Sequence, residues 1–379
     1  MIGSTSLLPV ANLAFVAGNG AALMRRTTVP LGVNRIYEPD SEKWNRPHVE
    51  MIGPAAWQTR VNAAVMARTL KPLLFALTLL GRACNSRNPE TLQRMSFALA
   101  DKPSVLTRPI KNTLLENVQL PHCKAEWVSA PEAVGPDAPT ILYLHGGAFI
   151  TCGLGSHRRM ISHISRAACA RVLSVDYRML PISPIADAIA DGLDAYRMLL
   201  ASGTSANSIV IAGDSAGGFL ATMTALSIKE AGLPLPAAQV LLSGLTDCDM
   251  RTKLPPMRPF PDAMFPSATL KFINDVFVTK NGTEAVLQCP VHCDLSGLGP
   301  FLQQVGSREA LRHDAAELAR RLNEDGVSNW LQVWDRAPHV FQVGADFNPD
   351  ARRAITDIGE FVRSVVATAT AGSTQAEAG

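Results

Sequence analysis

From Pro139 onward, apolar runs of five or six residues alternate with longer stretches of helical spacing. That rhythm predicts strands near 140–144, 171–176, 208–213, 238–242, 299–305 and 329–334. Runs this short and continuous suit strands buried on both faces, so the pattern predicts a mostly parallel sheet with helices on both sides. Ahead of it, residues 112–119 and 123–129 predict a strand pair that opens the core. Two of the intervening helices are predicted at Phe219 to Lys229 and at Leu311 to Asn323. The alternation breaks over 249–284, where Pro255, Pro256, Pro259, Pro261 and Pro266 crowd among Phe260, Phe265, Phe272 and Phe277. An excursion leaving a strand's C-terminal end is expected to overhang that edge as a lid. Residues 367–379 are small and polar and are expected to be disordered.

The first 110 residues carry a different pattern. Met1 to Met24 has no charged side chain and is followed by Arg25-Arg26. It lacks a basic start, and Asn12, Asn19 and three glycines dilute it, so neither a secretory signal nor a spanning helix fits. Pro72 to Leu80 is apolar between Lys71 and Arg82 and too short to span a bilayer. Both stretches are expected to pack on the core, with peripheral membrane contact as the alternative.

Four strand ends carry chemistry. The run Ser208 to Ala212 leads into Gly213-Asp214-Ser215-Ala216-Gly217 and then a helical stretch, the context of a nucleophile elbow. Its glycines permit a sharp turn that projects the Ser215 hydroxyl. Thr140 to Leu144 ends in His145-Gly146-Gly147-Ala148-Phe149, a loop able to aim backbone N–H groups at a developing oxyanion. His145 reads as a pin for that loop and need not titrate. After Trp330 to Trp334 comes Ala337-Pro338-His339-Val340-Phe341, and after Phe301 to Val305 comes Gly306-Ser307-Arg308-Glu309. The order serine, acid, histidine is that of an α/β-hydrolase triad, and each interval accommodates a strand–helix unit.

On these motifs, together with Val175-Asp176-Tyr177-Arg178 and Gly218, the chain resembles the α/β-hydrolase superfamily and, within it, the hormone-sensitive-lipase-like carboxylesterases of bacterial family IV. The resemblance runs from about Asn112 to Val366. It implies an α/β-hydrolase domain over 111–366 and an N-terminal helical cap over 1–110. It further implies Ser215 as nucleophile, His339 as base, and N–H groups of Gly146, Gly147 and Ala216 as the oxyanion hole. Where relatives carry an aspartate as the third member, this chain has Glu309, and Asp314 five residues on is the alternative, expected to face solvent or cap its helix. Ala148 stands where a third glycine is frequent. Met179-Leu180-Pro181-Ile182-Ser183 replaces a Leu-Ala-Pro-Glu-His stretch, removing a carboxylate near the site. Phe149 and Phe341 directly follow catalytic motifs and are candidates for lining an acyl pocket or, equally, plain core aromatics.

Composition narrows the partners. Thirty-five basic and 33 acidic residues leave a net charge of +2, with no basic block, which argues against nucleic acid. At 47% hydrophobic and 18% charged, the chain is a folded one with a rather apolar surface. Seven irregularly spaced cysteines indicate no disulfide framework. Cys289, His292 and Cys293 form too small a set to predict a metal site. The expected protein is a cytoplasmic esterase, with peripheral membrane association as the open alternative. It needs no cofactor and acts on short- to medium-chain or lipid-like esters. A homodimer, a lactone or amide substrate, and a non-catalytic ligand receptor on the same fold remain open at this stage.

Overall fold

Strand β4 (Thr140–Leu144) is buried along its whole length, and its side chains sort by parity. Leu142 and Leu144 join the apolar cluster on one face of the sheet, while Ile141 and Tyr143 join the cluster on the other. This two-sided burial is why the strands read as unbroken apolar runs rather than alternating ones. The computed structural model describes residues 48–83, 90, 101, 108–133, 135, 138–249, 262–275, 278 and 288–377. These belong to one compact unit, Pro39–Gly379. The expectation for Met1 to Met24 lies outside the described residues.

Among the described residues, nine strands form one sheet in the order β1-β9-β8-β7-β6-β4-β5-β3-β2. The pair β2 (Leu114–Gln119) and β3 (Lys124–Ser129) is antiparallel, and β3 runs antiparallel to β5 (Arg171–Asp176). From β5 across β4, β6 (Ile209–Asp214), β7 (Ala238–Leu242), β8 (Phe301–Gly306) and β9 (Asn329–Trp334), every pairing is parallel. One face carries α4 (Ile185–Ala201) and α5 (Ala216–Glu230), which contribute Leu199, Phe219 and Leu220 to its core. The other carries α3 (Leu154–Ala168) and α8 (Pro349–Glu377), with Ile161, Ile164, Ile358 and Phe361. Helix α7 (Arg312–Glu324) lies between β8 and β9. Each predicted core strand falls on an observed one, displaced by two residues or fewer at its ends.

Two expectations need correction. The N-terminal region is not purely helical, because β1 (His48–Ile52) adds a parallel strand beside β9. Only Ile52 of its five residues is buried, so no alternation marked it. Helices α1 (Trp57–Arg68) and α2 (Leu70–Ala83) follow it. The C-terminal stretch expected to be disordered instead continues α8 to Glu377, since its small residues include helix-compatible alanines. Of the 249–284 excursion, residues 250–261, 276–277 and 279–284 lie outside the described residues. The remainder contains the short helix α6 (Ser267–Ile273), which packs against α2 through a Thr78–Thr269 hydroxyl hydrogen bond of 2.8 Å.

Candidate active site

Ser215 sits between the C-terminal end of β6 and the first turn of α5, with φ +52° and ψ −122°. A non-glycine residue in that region is strained and persists only where its surroundings hold it. Its amide donates to Leu242 O at 2.9 Å and its carbonyl accepts from Leu245 N at 2.8 Å. The flanking glycines are steric requirements: a Cβ on Gly217 would overlap the Leu144 carbonyl, and one on Gly213 would overlap the Gly217 carbonyl. The elbow is therefore wedged between β4 and β7, with its side chain directed to the parallel strands' C-terminal edge.

His339 and Glu309 arrive at the same edge from the loops after β9 and β8. His339 Nδ1 donates to Glu309 Oε2 at 2.6 Å, and both side chains are buried. Burial alone would lower the His339 pKa; the hydrogen bond and charge of Glu309 outweigh it and raise the value above 6.5. Glu309 Oε1 accepts from the Gly306 amide and from Ser243 Oγ, the latter at 2.8 Å. Asp314, the alternative acid, does not reach His339. It is buried in the first turn of α7, where Oδ2 accepts from the Thr246 and Asp247 amides at 2.9 and 3.1 Å. It thus anchors the loop after β7, and the expectation that it faces solvent is overturned.

Ser243 is the residue sequence reasoning missed. Fully buried just past β7, it donates Oγ to Glu309 and accepts from the Val340 amide at 3.1 Å. One hydroxyl therefore links the acid to the residue following His339. Its signal was the Leu242-Ser243-Gly244 turn at a strand end, which resembles any ordinary turn. Ser243→Ala should lower kcat about tenfold with KM little changed. It should also cost about 1.5–3 kcal/mol of stability, the usual worth of a buried bond to a charged group. Steady-state kinetics and denaturant titration read the two effects.

The Gly146 amide, expected in the oxyanion hole, is engaged elsewhere. The Gly146 N–H is already committed, donating to Asp214 Oδ1 at 2.9 Å, so it is not an oxyanion donor. Asp214 also accepts from Tyr143 OH at 2.8 Å and pairs with His157 Nε2 at 3.2 Å. Burial would raise the Asp214 pKa, but His157 and these donors hold it below the ordinary value. This buried group fixes the loop root, where a Cβ on Gly146 would collide with the Asp214 carboxylate. Beyond it, Gly147 has φ +126° and Ala148 φ +55°, and Ala148 faces the pocket that Ser215 lines. No hydrogen bond from the Gly147 or Ala148 N–H occurs among the described residues. Ala216 N is the first amide of α5, which has no acceptor within its own helix.

His145 acts as the expected pin. Its Nδ1 donates to Gly146 O at 2.7 Å, its carbonyl accepts from Tyr177 OH at 2.7 Å, and its ring stacks on Tyr177 at 4.3 Å. Burial pushes its pKa down to about 4, so it stays neutral. The next residue, Arg178, forms ion pairs with Asp187 and the buried Asp191 of α4. Cys289 Sγ accepts from the Cys248 amide at 3.2 Å, and Cys293 Sγ donates to Cys289 O at 3.4 Å, so both sulfurs serve as loop contacts.

Ser215 and His339 line one pocket that opens to solvent. Its walls are apolar: Phe149, Leu245, Phe265, Leu270, Ile273 and Leu311. Phe265 meets the His339 ring edge-on, with centroids 5.1 Å apart. Phe149 lines the pocket and packs edge-on against Phe219. Phe341 does not line it. It is buried on the opposite side, 5.3 Å from the Trp334 ring, because the chain turns at Val340 with φ +47°. Asp262 ties the excursion to the acid loop: Oδ2 accepts from Ala310 N at 2.8 Å and its carbonyl accepts from Lys71 Nζ at 2.6 Å.

Known proteins similar to this chain share its fold class. The family described as "alpha/beta hydrolase fold" matches residues 141–343. Esterase LipU of Mycobacterium tuberculosis is 35% identical over 275 residues, 70% of this chain and 92% of that protein. The carboxylesterase/phospholipase LipF of the same species is 34% identical over 334 residues, 86% of each chain. Among solved structures, an esterase from the bacterial hormone-sensitive lipase family superposes with a TM-score of 0.65 at 34% identity, covering 74% of this chain and 99% of that one. The chain belongs to the alpha/beta hydrolase fold family, among the carboxylesterase/lipase-like hydrolases of the bacterial hormone-sensitive-lipase group.

Proposed function

We propose that the protein cleaves carboxylic esters of short- to medium-length acyl chains through an acyl-enzyme on Ser215. The observation that carries this reading is the 2.6 Å bond from His339 Nδ1 to Glu309, made by a histidine that shares an apolar pocket with Ser215. With its Nδ1 proton held by Glu309, His339 presents an unprotonated Nε2. That nitrogen takes the Ser215 proton as Oγ attacks the ester carbonyl, and Glu309 stabilises the imidazolium. The tetrahedral oxygen accepts from the N–H groups of Gly147, Ala148 and Ala216, the last reinforced by the α5 dipole. Collapse expels the alcohol, which takes the proton from Nε2. Water then repeats the sequence: His339 removes its proton, its oxygen adds to the acyl carbon, and the Ser215 oxygen departs reprotonated.

The lining supports an aliphatic acyl group, because a pocket with few polar side chains gains from burying methylene groups and offers little to a charged substrate. Turnover of p-nitrophenyl esters from acetate to decanoate tests the proposal. The expected result is saturable nitrophenol release that peaks within the short to medium chains. Absence of release throughout, with ligand binding retained, would instead assign a receptor.

A further inference from the structure

Among the described residues, helix α2 touches the rest of the protein along a narrow stripe. Thr78 is buried and Leu70, Lys71 and Leu74 are half-buried, while Leu73, Phe75, Leu77, Leu79 and Leu80 are exposed. The preceding α1 shows Trp57, Val61 and Val65 to solvent at four-residue spacing, Trp57 with 69% of its surface. A helix apolar on nearly every side is ordinarily buried in protein or in lipid. From 57 to 83 the charged residues are Arg60, Arg68, Lys71 and Arg82, and none is acidic. Lys71 is spent on Asp262 O, whereas Arg60, Arg68 and Arg82 are exposed.

We propose that α1 and α2 form a docking surface for an anionic phospholipid bilayer, lying in its interface. Exposed Leu and Phe with a Trp and only cationic charges is the composition that enters the headgroup boundary and pairs with anionic lipid. Trp57–Leu80 is long and apolar enough to cross a membrane by length and composition. It lies on the surface instead, because it is tethered to the catalytic domain near both ends. Thr59 Oγ1 donates to Asn348 and Asp350, and Thr78 bonds Thr269. A second copy is the poorer occupant, since two-fold pairing of this face would set its cationic rows against each other. The location gives the contact a use. Thr78 holds α6, whose Leu270 and Ile273 line the pocket of Ser215, so a bilayer seated here lies one helix from the site. This inference does not rest on the esterase reading.

The full chain should co-sediment with vesicles of phosphatidylglycerol and phosphatidylcholine. Binding should be weaker on phosphatidylcholine alone and weaker at high salt. Leu73→Gln/Leu77→Gln/Leu80→Gln should lower the partition coefficient about tenfold or more, since each burial is worth several-fold. Arg60→Gln/Arg68→Gln/Arg82→Gln should remove the preference for anionic vesicles. Both variants change exposed positions, so both should retain wild-type elution volume and turnover of dissolved p-nitrophenyl acetate. Protein left in the supernatant with anionic vesicles, or variants that pellet as the wild type does, overturns the proposal. A wild-type dimer split by the leucine variant, without vesicle binding, would reassign the face to a contact between copies. Loss of acetate turnover in every form would count against the esterase and leave the vesicle result standing.

Discussion

Ser215→Ala is expected to lower kcat for p-nitrophenyl butyrate by about 10⁵- to 10⁶-fold, the scale found when a nucleophile of this type is removed. The fold should survive the change. The three hydrogen bonds at this position are made by the backbone, to Leu242 O and from the Leu245 and Gly218 amides, and alanine keeps them. Alanine also occupies φ +52° at the same cost as serine, so the elbow stays strained and Tm should move by no more than a few degrees. The contrast is with Gly217→Ala. There a Cβ meets the Leu144 carbonyl and the helix must move, so activity and stability should fall together. A Ser215→Ala enzyme with more than about a hundredth of wild-type turnover and an unchanged pocket would exclude a serine acyl-enzyme. Residual catalysis of about 10³–10⁴ over water is compatible with it, because backbone donors at Gly147, Ala148 and Ala216 would remain.

That separation between chemistry and scaffold also marks what was legible in the sequence. Strands β4 to β9 are legible because two-sided burial forces continuous apolar runs, and the elbow glycines because only glycine fits between β4 and β7. β1 left no trace, since four of its five side chains stay outside the core. Its existence depends on an open edge at β9, which is a property of the assembled sheet. Gly146 shows a second kind of limit. Its sequence context says that a backbone turns there but not which way its N–H points, and Asp214 decides that from 68 residues away. Ser243 and Asp262 are invisible for the same reason: each is an ordinary polar residue until β7, β8 and the excursion are brought side by side. The apolar run of α2 was visible, but the narrowness of its contact with the core was not.

The acid can be separated from its neighbour by two different measurements. Glu309→Gln should lower kcat about 10⁴-fold, because an amide neither stabilises the imidazolium nor enforces the Nδ1–H tautomer. Glutamine is the cleaner replacement, as alanine would leave the Gly306 amide and Ser243 hydroxyl unpaired and add a stability loss. Asp314→Asn should keep kcat within a few-fold of wild type while costing about 1–3 kcal/mol of stability. Its carboxylate holds the Thr246 and Asp247 amides, and a neutral oxygen holds them less well. The pH profile adds an independent sign. Catalysis needs His339 neutral, and Glu309 raises its pKa against a burial that lowers it. The acidic limb of kcat/KM in the wild type should therefore lie above an ordinary histidine's value. Removing the Glu309 charge leaves burial unopposed by its largest counterweight, so the residual activity of Glu309→Gln should show that limb displaced to lower pH. Asp314→Asn, whose carboxylate does not contact the ring, should leave the limb in place. Should Asp314→Asn instead lose kcat and shift the limb while Glu309→Gln does neither, the acid is Asp314, and the 2.6 Å contact at His339 is a packing contact.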